Sequence, residues 1–218
     1  AGPALRRLAR DLPGLSTRGV LVAVVAVQGL VSLLPRSAML VTGTETPPEW
    51  SVWTVGVSFG VLTGVMWPIV ESYLSGGRSG KRLNTATGRF NVLWSAAVLA
   101  SFWLMAPLLK DDPIDVITAL GLVQLASIAL IAGFRREPAR HLDHDHEPHP
   151  EDWRHLLAAF RVLLPLIYVV SGTLSPMLPA LLDEVGVALS WGPPIASAWL
   201  VSRVAVFFIF ERWAGWHG

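Results

Sequence analysis

The chain has 218 residues, of which 52% are hydrophobic and only 15% are charged. A soluble domain of this size could not hide so much apolar surface, so the composition excludes an ordinary water-soluble globular protein and favours an integral membrane protein. The 17 Lys and Arg residues nearly balance the 16 Asp and Glu residues, and no basic stripe alternates with aromatic residues, so we do not expect nucleic acid as a partner. The chain begins at Ala1 and ends shortly after an apolar run, so we expect a fragment of a longer protein.

Six apolar segments are long enough to cross a bilayer, because a membrane helix needs about 20 apolar residues to span roughly 30 Å of hydrocarbon. Barrel strands are shorter and alternate apolar with polar residues, whereas these segments are apolar on all sides. The sequence therefore predicts an all-α fold, a polytopic bundle of about six membrane-spanning helices. The segments are Gly19–Pro35, Ser51–Leu74, Asn91–Leu109, Ile114–Phe134, Leu156–Leu182 and Gly192–Phe210.

Basic residues are spread unevenly over the polar joints. If the amino terminus is cytoplasmic, only Arg36 and Lys110 fall in outer loops, Arg203 lies within a helix, and every other Lys and Arg falls on the inner side. Cytoplasmic loops carry an excess of Lys and Arg, so we expect a multi-pass protein of the cytoplasmic (inner) membrane with both ends of this chain in the cytoplasm. The inner residues are Arg6, Arg7, Arg10, Arg18, Arg78, Lys81, Arg82, Arg89, Arg135, Arg136, Arg140, Arg154, Arg161 and Arg212.

The longest polar joint, residues 135–155, is dense in His, Asp and Pro and cannot bury apolar area, which predicts a loose linker. We therefore divide the chain into a partial amino-terminal bundle of four helices (1–137), a cytoplasmic linker (138–155) and the start of a carboxy-terminal bundle of two helices (156–218). Imidazole and carboxylate groups together suit zinc or nickel, but structural zinc sites use folded ligands at defined spacing. We expect no metal and no cofactor; the alternative is a metal site at His141, His144, His146 and His149.

The second segment carries small residues at four-residue spacing. Gly56, Gly60 and Gly64 line one face, which lets a neighbouring helix approach closely. Pro68 removes a backbone hydrogen bond and predicts a kink just before the cytoplasm, beside Glu71. A purely structural role in packing is one interpretation, and a helix that bends or rocks during a transport cycle is the other.

The junction after this segment reads Trp67-Pro68 with Glu71, then a short basic loop, then Gly88-Arg89-Phe90-Asn91 and Trp94-Ser95. It resembles the junction between the fourth and fifth helices of major facilitator superfamily transporters, and the six segments would correspond to that family's helices three to eight. The resemblance implies a secondary transporter, with cytoplasmic gate candidates Glu71, Arg89 and Asn91.

The sequence departs from that family in two places. In the loop before the family's third helix, Gly2, Arg7 and Arg10 fit the pattern but its acidic residue is missing, so we do not expect a conventional charge-relay gate there. The Gly-Pro pattern of antiporters is absent from Asn91–Leu109, so antiport is not predicted.

Arg203 is the clearest charged group within an apolar segment, about two helical turns before the predicted end at Phe210. Such a charge costs several kcal/mol in lipid on most scales and tends to face a cavity. No acidic residue in the apolar interior offers a deep partner, so we expect that partner to be substrate, solvent or a helix outside this chain; an interhelical clamp is the alternative. Gln28 and Gln124 are weaker candidates, more typical of links between helices.

The fifth segment contains Pro165, Gly172, Pro176 and Pro179, which predict a helix that is bent or partly unwound towards its outer end. In the resembled family this helix would be the seventh, which lines the cavity. The resemblance makes Ser171, Thr173 and Ser175 of this helix candidates for the substrate path. Tyr168 is a weaker candidate for that path, like Gln28 and Gln124, because a single uncharged polar side chain is often only a link between helices.

The leading hypothesis is a secondary active transporter that moves a small solute across the cytoplasmic membrane by alternating access. Its expected partners are membrane lipids and a small-molecule substrate, with a coupling proton or ion left open. The alternative is a non-transporting membrane sensor or scaffold with a major-facilitator-like fold and a metal- or partner-binding cytoplasmic loop. No catalytic cluster or nucleophilic triad stands out, so we do not expect an enzyme.

Overall fold

The computed structural model describes residues 16–140 and 153–212. Within these ranges the chain forms seven α-helices and one short 3-10 turn, Leu189–Trp191. Six helical stretches are long and apolar enough to cross a membrane, and α1 with α2 forms the first of them. The all-α class is therefore confirmed, and the chain has the helices of a polytopic membrane protein. The helices are α1 Thr17–Ser32, α2 Leu34–Thr42, α3 Glu49–Ser75, α4 Gly80–Asp111, α5 Pro113–Ile131, α6 Trp153–Glu184 and α7 Gly192–Arg212.

The first span is longer than the sequence predicts. Pro35 was expected to end it, but Pro35 lies in the first turn of α2, and the helix continues to Thr42 before Gly43 ends it in the left-handed region with φ +69°. Proline is well tolerated in a first helical turn because its missing N–H would have no helical partner there. Arg36 therefore lies on a helix and not in an outer loop.

The third span also begins earlier than expected. A basic loop was predicted before Asn91, but α4 already starts at Gly80, which places Lys81, Arg82 and Arg89 on a helix. The segment between Gly80 and Asn91 contains no proline to interrupt a helix.

Of the two expectations for α6, partial unwinding is not seen, because this helix is continuous from Trp153 to Glu184, and a bend stays a prediction. Each proline removes one N–H donor, yet the remaining backbone hydrogen bonds hold the helix, and an unsatisfied backbone group in lipid would cost several kcal/mol. After the helix, Gly186 adopts φ +70° and the Val187 N–H donates to the Leu182 carbonyl at 2.9 Å. This is the arrangement of a Schellman cap.

Contacts group the described helices into two compact units. The first unit contains α1, α2, α3, α5 and α4 as far as Thr87. The second contains α4 from Gly88 to Lys110, α6, the 3-10 turn and α7. The domain division predicted from the linker keeps the whole third span in the amino-terminal bundle and so differs from this grouping.

In the first unit, α1 packs against both α3 and α5. Its buried cluster consists of Leu21 and Val25 of α1 with Ile69 of α3 and Ile131 of α5. Because these side chains come from three helices, the cluster fixes their relative positions within the unit.

The predicted close approach at the glycines of α3 is not seen. A Cβ atom built at each of Gly56, Gly60 and Gly64 meets no described atom within 4 Å. The close approach is instead made by Gly29 of α1, where a Cβ would lie 2.6 Å from the Leu125 side chain, and by Gly121 of α5. Four-residue spacing permits close packing, but the faces that meet are chosen by the whole set of packed side chains.

In the second unit, α7 buries one face, which includes Pro193, Ser197 and Leu200. These positions recur at helical spacing and share a face. The apolar side chains of α6 are largely exposed, as befits a helix whose surroundings include lipid.

Candidate functional site

Three aromatic rings surround Arg203 in the second unit. Its guanidinium carbon lies 4.6 Å from the ring centroid of Trp94, 5.3 Å from that of Phe207 and 5.5 Å from that of Trp199. Trp199 and Phe207 stand one helical turn before and after Arg203 on α7, and Trp94 comes from α4. All three distances fall within the range of about 6 Å for attraction between a cation and an aromatic face.

Arg203 lies inside the apolar stretch of α7 that runs from Gly192 to Ile209, about 9 Å along the helix axis before its end. The side chain is partly buried. It forms no ion pair or hydrogen bond with any described residue. The acidic residues of this unit with described side chains, Asp183 and Glu184, lie at the end of α6.

The partner expected for Arg203 was substrate, solvent or a helix outside the chain, and the aromatic rings were overlooked. Trp199 and Phe207 could have been found from their spacing of four residues on either side of Arg203. Trp94 could not, because only the packing of α4 in this unit brings it close.

The other candidates for the substrate path do not join this cluster. Tyr168 is 69% exposed. Thr173 is exposed, and its hydroxyl donates to the Val169 carbonyl of its own helix at 2.7 Å. Neither forms a hydrogen bond or a ring contact with Arg203. The remaining candidate side chains lie outside the described part of the structure: Ser171, Ser175, Pro176 and Pro179.

The candidates for a cytoplasmic gate are placed on helices. Glu71 is exposed near the end of α3, Arg89 is exposed on α4, and Asn91 is partly buried on α4. Pro68 lies within α3, which continues past it to Ser75. Their roles in gating, and the kink at Pro68, stay predictions.

A polar network links three helices of the first unit. Gln28 of α1 is 1% exposed, and its side-chain nitrogen donates to the Thr63 hydroxyl of α3 at 3.1 Å. The Gln124 side chain of α5 donates to the Gln28 side-chain oxygen at 2.8 Å. Gln28 lies near the middle of the span Thr17–Thr42. The interpretation of Gln28 and Gln124 as links between helices is confirmed.

The segment that follows α5, residues 132–140, is bound to the ends of two other helices. Arg18 at the start of α1 donates to the Ala132 and Phe134 carbonyls at 3.1 and 2.9 Å. The Tyr73 hydroxyl of α3 donates to the Arg135 carbonyl at 2.8 Å, and its ring contacts that of Phe134.

The same segment completes the amino-terminal end of α1. The Glu137 carboxylate accepts hydrogen bonds from the Thr17 N–H, at 2.9 Å, and from the Thr17 hydroxyl. A carboxylate at a helix N-terminus accepts hydrogen bonds from N–H groups that have no partner within the helix. It is also attracted to the positive end of the helix dipole. The Gly77 N–H donates to the Arg140 carbonyl at 3.1 Å, so the start of the predicted loose linker is held against the helices.

Several predicted features lie outside the described residues. They are the linker histidines His141, His144, His146 and His149 and the loop residues Gly2, Arg7 and Arg10. The metal-site alternative and the loop motif therefore stay predictions.

Comparison with protein-family models, with curated protein sequences and with solved structures finds no match to this chain. The resemblance to the major facilitator superfamily therefore rests on the residues of its sequence alone.

Proposed function

We propose that this protein is a secondary active transporter that moves a small solute across the cytoplasmic membrane by alternating access. The observation that carries the proposal is Arg203, a permanent cation within an apolar helix that is partly buried beside three aromatic rings and forms no ion pair or hydrogen bond with any described residue. Arg161 also lies in an apolar helix, but it is exposed and has no ring contact with a described residue. Ionisable groups inside the membrane are costly and usually mark a substrate or ion pathway.

One further feature supports this function. The network of Gln28, Thr63 and Gln124 holds the helices of the first unit together near mid-span, so that this unit can move as one body.

The proposal includes an orientation in the inner membrane. Residues 132–140, the start of α1 and the end of α3 are joined by hydrogen bonds, so these helix ends lie at one end of the first unit. Arg18, Arg135 and Arg136 belong to this end, and the excess of Lys and Arg on cytoplasmic sides favours the cytoplasm for it. Membership of the major facilitator superfamily is part of the same proposal and rests on the junction residues.

Reconstitution of the protein from its complete reading frame into liposomes tests transport directly. Uptake is measured for a panel of small carboxylates, phosphate esters, neutral sugars and amines. We expect saturable uptake of one class, which Arg203→Gln lowers by about tenfold or more, since a charge-assisted hydrogen bond contributes about 1.5–3 kcal/mol.

The matched control is Arg161→Gln, which removes an exposed arginine of α6 that has no ring contact or ion pair among the described residues. We expect this variant to retain uptake. Absence of uptake for every class, with protein incorporated at matched density, would contradict the proposed function.

A sensor or scaffold remains the second candidate. It is favoured by the hydrogen bonds of residues 132–140 to α1 and α3, which connect the chain just before the histidine-rich stretch to the helices. A sensor predicts that zinc changes the protease sensitivity of the linker, and that replacing the four linker histidines by Ser abolishes this change. A transporter with a plain tether predicts neither effect and unchanged uptake in the Ser variant.

A further inference from the structure

We propose that Arg203, with Trp94, Trp199 and Phe207, forms a receptor for an oxyanion. Such an anion, a carboxylate or a phosphate group, offers two neighbouring oxygens that can accept two parallel N–H donors. The inference deepens the proposed function, because it names the chemical class that the site would take. The ligand has two possible sources with the same chemistry, a transported solute or the headgroup of an anionic lipid.

Three aromatic rings lie close to the guanidinium group of Arg203. Three ring centroids lie 4.6 to 5.5 Å from its central carbon, so aromatic rings supply attraction to the positive charge. Aromatic rings attract a cation through their faces, whereas strong N–H donation requires lone pairs. The rings therefore balance part of the cost of the charge, but they are not strong hydrogen-bond acceptors for its N–H groups.

The N–H groups of Arg203 need hydrogen-bond acceptors that the rings do not supply. A guanidinium carries five donors in a rigid fork that lies in its plane. None of them donates to a described residue. The hydroxyl groups of Ser197 and Ser202 on α7 donate within the helix, to the Pro194 and Trp199 carbonyls, both at 2.7 Å, and neither hydroxyl accepts a hydrogen bond from Arg203.

The charge and the donors of Arg203 together indicate the class of ligand. An oxyanion with two neighbouring oxygens accepts hydrogen bonds from two parallel N–H donors of the guanidinium group. Its negative charge also balances the positive charge of Arg203. Apolar rings around the cation lower the local dielectric constant and strengthen the attraction to an anion. A neutral solute could accept hydrogen bonds from the N–H groups of Arg203 but would leave its positive charge without a counter-ion. A protonated amine would be repelled by that charge.

The rings also hold the receptor in place. Trp199 and Phe207 flank Arg203 from adjacent turns of one helix, and Trp94 contacts it from α4, which restricts the rotation of the arginine side chain. Binding then costs less conformational entropy than binding to a free arginine would.

The test measures binding without transport. The full-length protein is purified in a maltoside detergent, which contains no phosphate, and its thermal unfolding is followed while inorganic phosphate or succinate is added. A ligand that binds only the folded state raises the unfolding temperature as its concentration increases. We expect such a rise in the wild type and in Arg161→Gln, and a half-maximal concentration about tenfold or more higher in Arg203→Gln.

A second arm replaces the free anions by phosphatidylglycerol added to the same micelles. If a lipid headgroup occupies the site, the lipid raises the unfolding temperature, free phosphate adds nothing further, and Arg203→Gln loses the effect. If the ligand is a soluble solute, free anions act and the lipid does not. Both results support the receptor. An equal response of the wild type and Arg203→Gln to both kinds of ligand would overturn it.

Two further variants cover the case in which Arg203→Gln does not fold. Arg203→Lys keeps the charge but loses the planar fork, and Trp199→Leu keeps the fork but loses one ring. We expect weaker binding of succinate in both, and unchanged binding in both would overturn the receptor.

Failure of this inference and failure of the proposed function give different results. Binding of phosphate or succinate that depends on Arg203, without uptake of any solute in liposomes, supports the receptor and contradicts transport. Saturable uptake of neutral or cationic solutes, without any anion response that depends on Arg203, supports transport and overturns the receptor.

Discussion

Gly29 and Gly121 face each other across the contact between α1 and α5. A Cβ atom built on Gly29 would lie 3.0 Å from the Gly121 carbonyl oxygen, and one built on Gly121 would lie 2.9 Å from the Gly29 carbonyl oxygen. The backbones can approach this closely because neither residue has a side chain, as is common where membrane helices pack tightly.

Adding a methyl group at this contact should destabilise the first unit. Gly121→Ala would bring its Cβ to 2.7 Å from the Ser32 Cβ atom and against backbone, so we expect a loss of about 1–3 kcal/mol in the free energy of unfolding. Thermal unfolding in detergent measures the change.

The matched control is Gly60→Ala, because a Cβ there meets no described atom within 4 Å. We expect no loss, or a gain of up to about 1 kcal/mol, since alanine favours a helix over glycine. Equal losses for the two variants would show that the close contact at Gly121 is not what matters.

Replacing Gln28 tests the polar network. Gln28→Leu removes the hydrogen bonds to Thr63 and Gln124, and we expect a loss of about 1–2 kcal/mol in the free energy of unfolding. Gln124→Leu removes only the bond between the two glutamines and should cost less. The double variant should lose less free energy of unfolding than the sum of the losses of the two single variants, because both single variants break the same bond between the glutamines. Strict additivity would contradict the link.

Tyr73→Phe should loosen residues 132–140 and leave the helices intact. The variant keeps the ring contact with Phe134 but loses the hydrogen bond to the Arg135 carbonyl. A net hydrogen bond contributes about 0.5–1.5 kcal/mol, so we expect amide exchange in this segment to quicken by about two- to tenfold. Mass spectrometry of deuterium uptake measures it.

The chain has one other tyrosine, Tyr168, which is 69% exposed and forms no hydrogen bond with a described residue. Tyr168→Phe therefore serves as the control and should leave exchange in residues 132–140 unchanged. If both variants behave alike, the Tyr73 hydroxyl does not hold the segment.

Cysteine labelling tests the proposed orientation. The natural chain contains no cysteine, so a single cysteine at Thr44 or at Ser79 gives a unique label. Thr44 lies between α2 and α3, and Ser79 lies just before α4, at opposite ends of α3. In intact cells we expect an impermeant maleimide to label Thr44→Cys from outside and Ser79→Cys only after lysis. Equal labelling of both in intact cells would refute the orientation.

The number and approximate place of the membrane spans could be predicted because a helix satisfies its backbone hydrogen bonds locally and the hydrocarbon sets its length. The ends were harder to place. Pro35 reads as a helix end, but it begins a new turn, and the polar stretch after Gly80 reads as a loop although it is helical. Polar residues mark where the chain leaves the lipid. A helix can start outside the lipid, so its first residue need not be the first residue of the apolar segment.

The sequence by itself determined the class of protein, the six apolar helices and the place of Arg203 within one of them, because each follows from composition or from residues near in the chain. Only the tertiary structure decided that Gly29 and Gly121 make the close contact while Gly60 meets no described atom, and that Trp94 lies beside Arg203. Those contacts join distant parts of the chain. Which helix faces meet depends on the packing of all side chains in a unit together, and no local pattern contains that information.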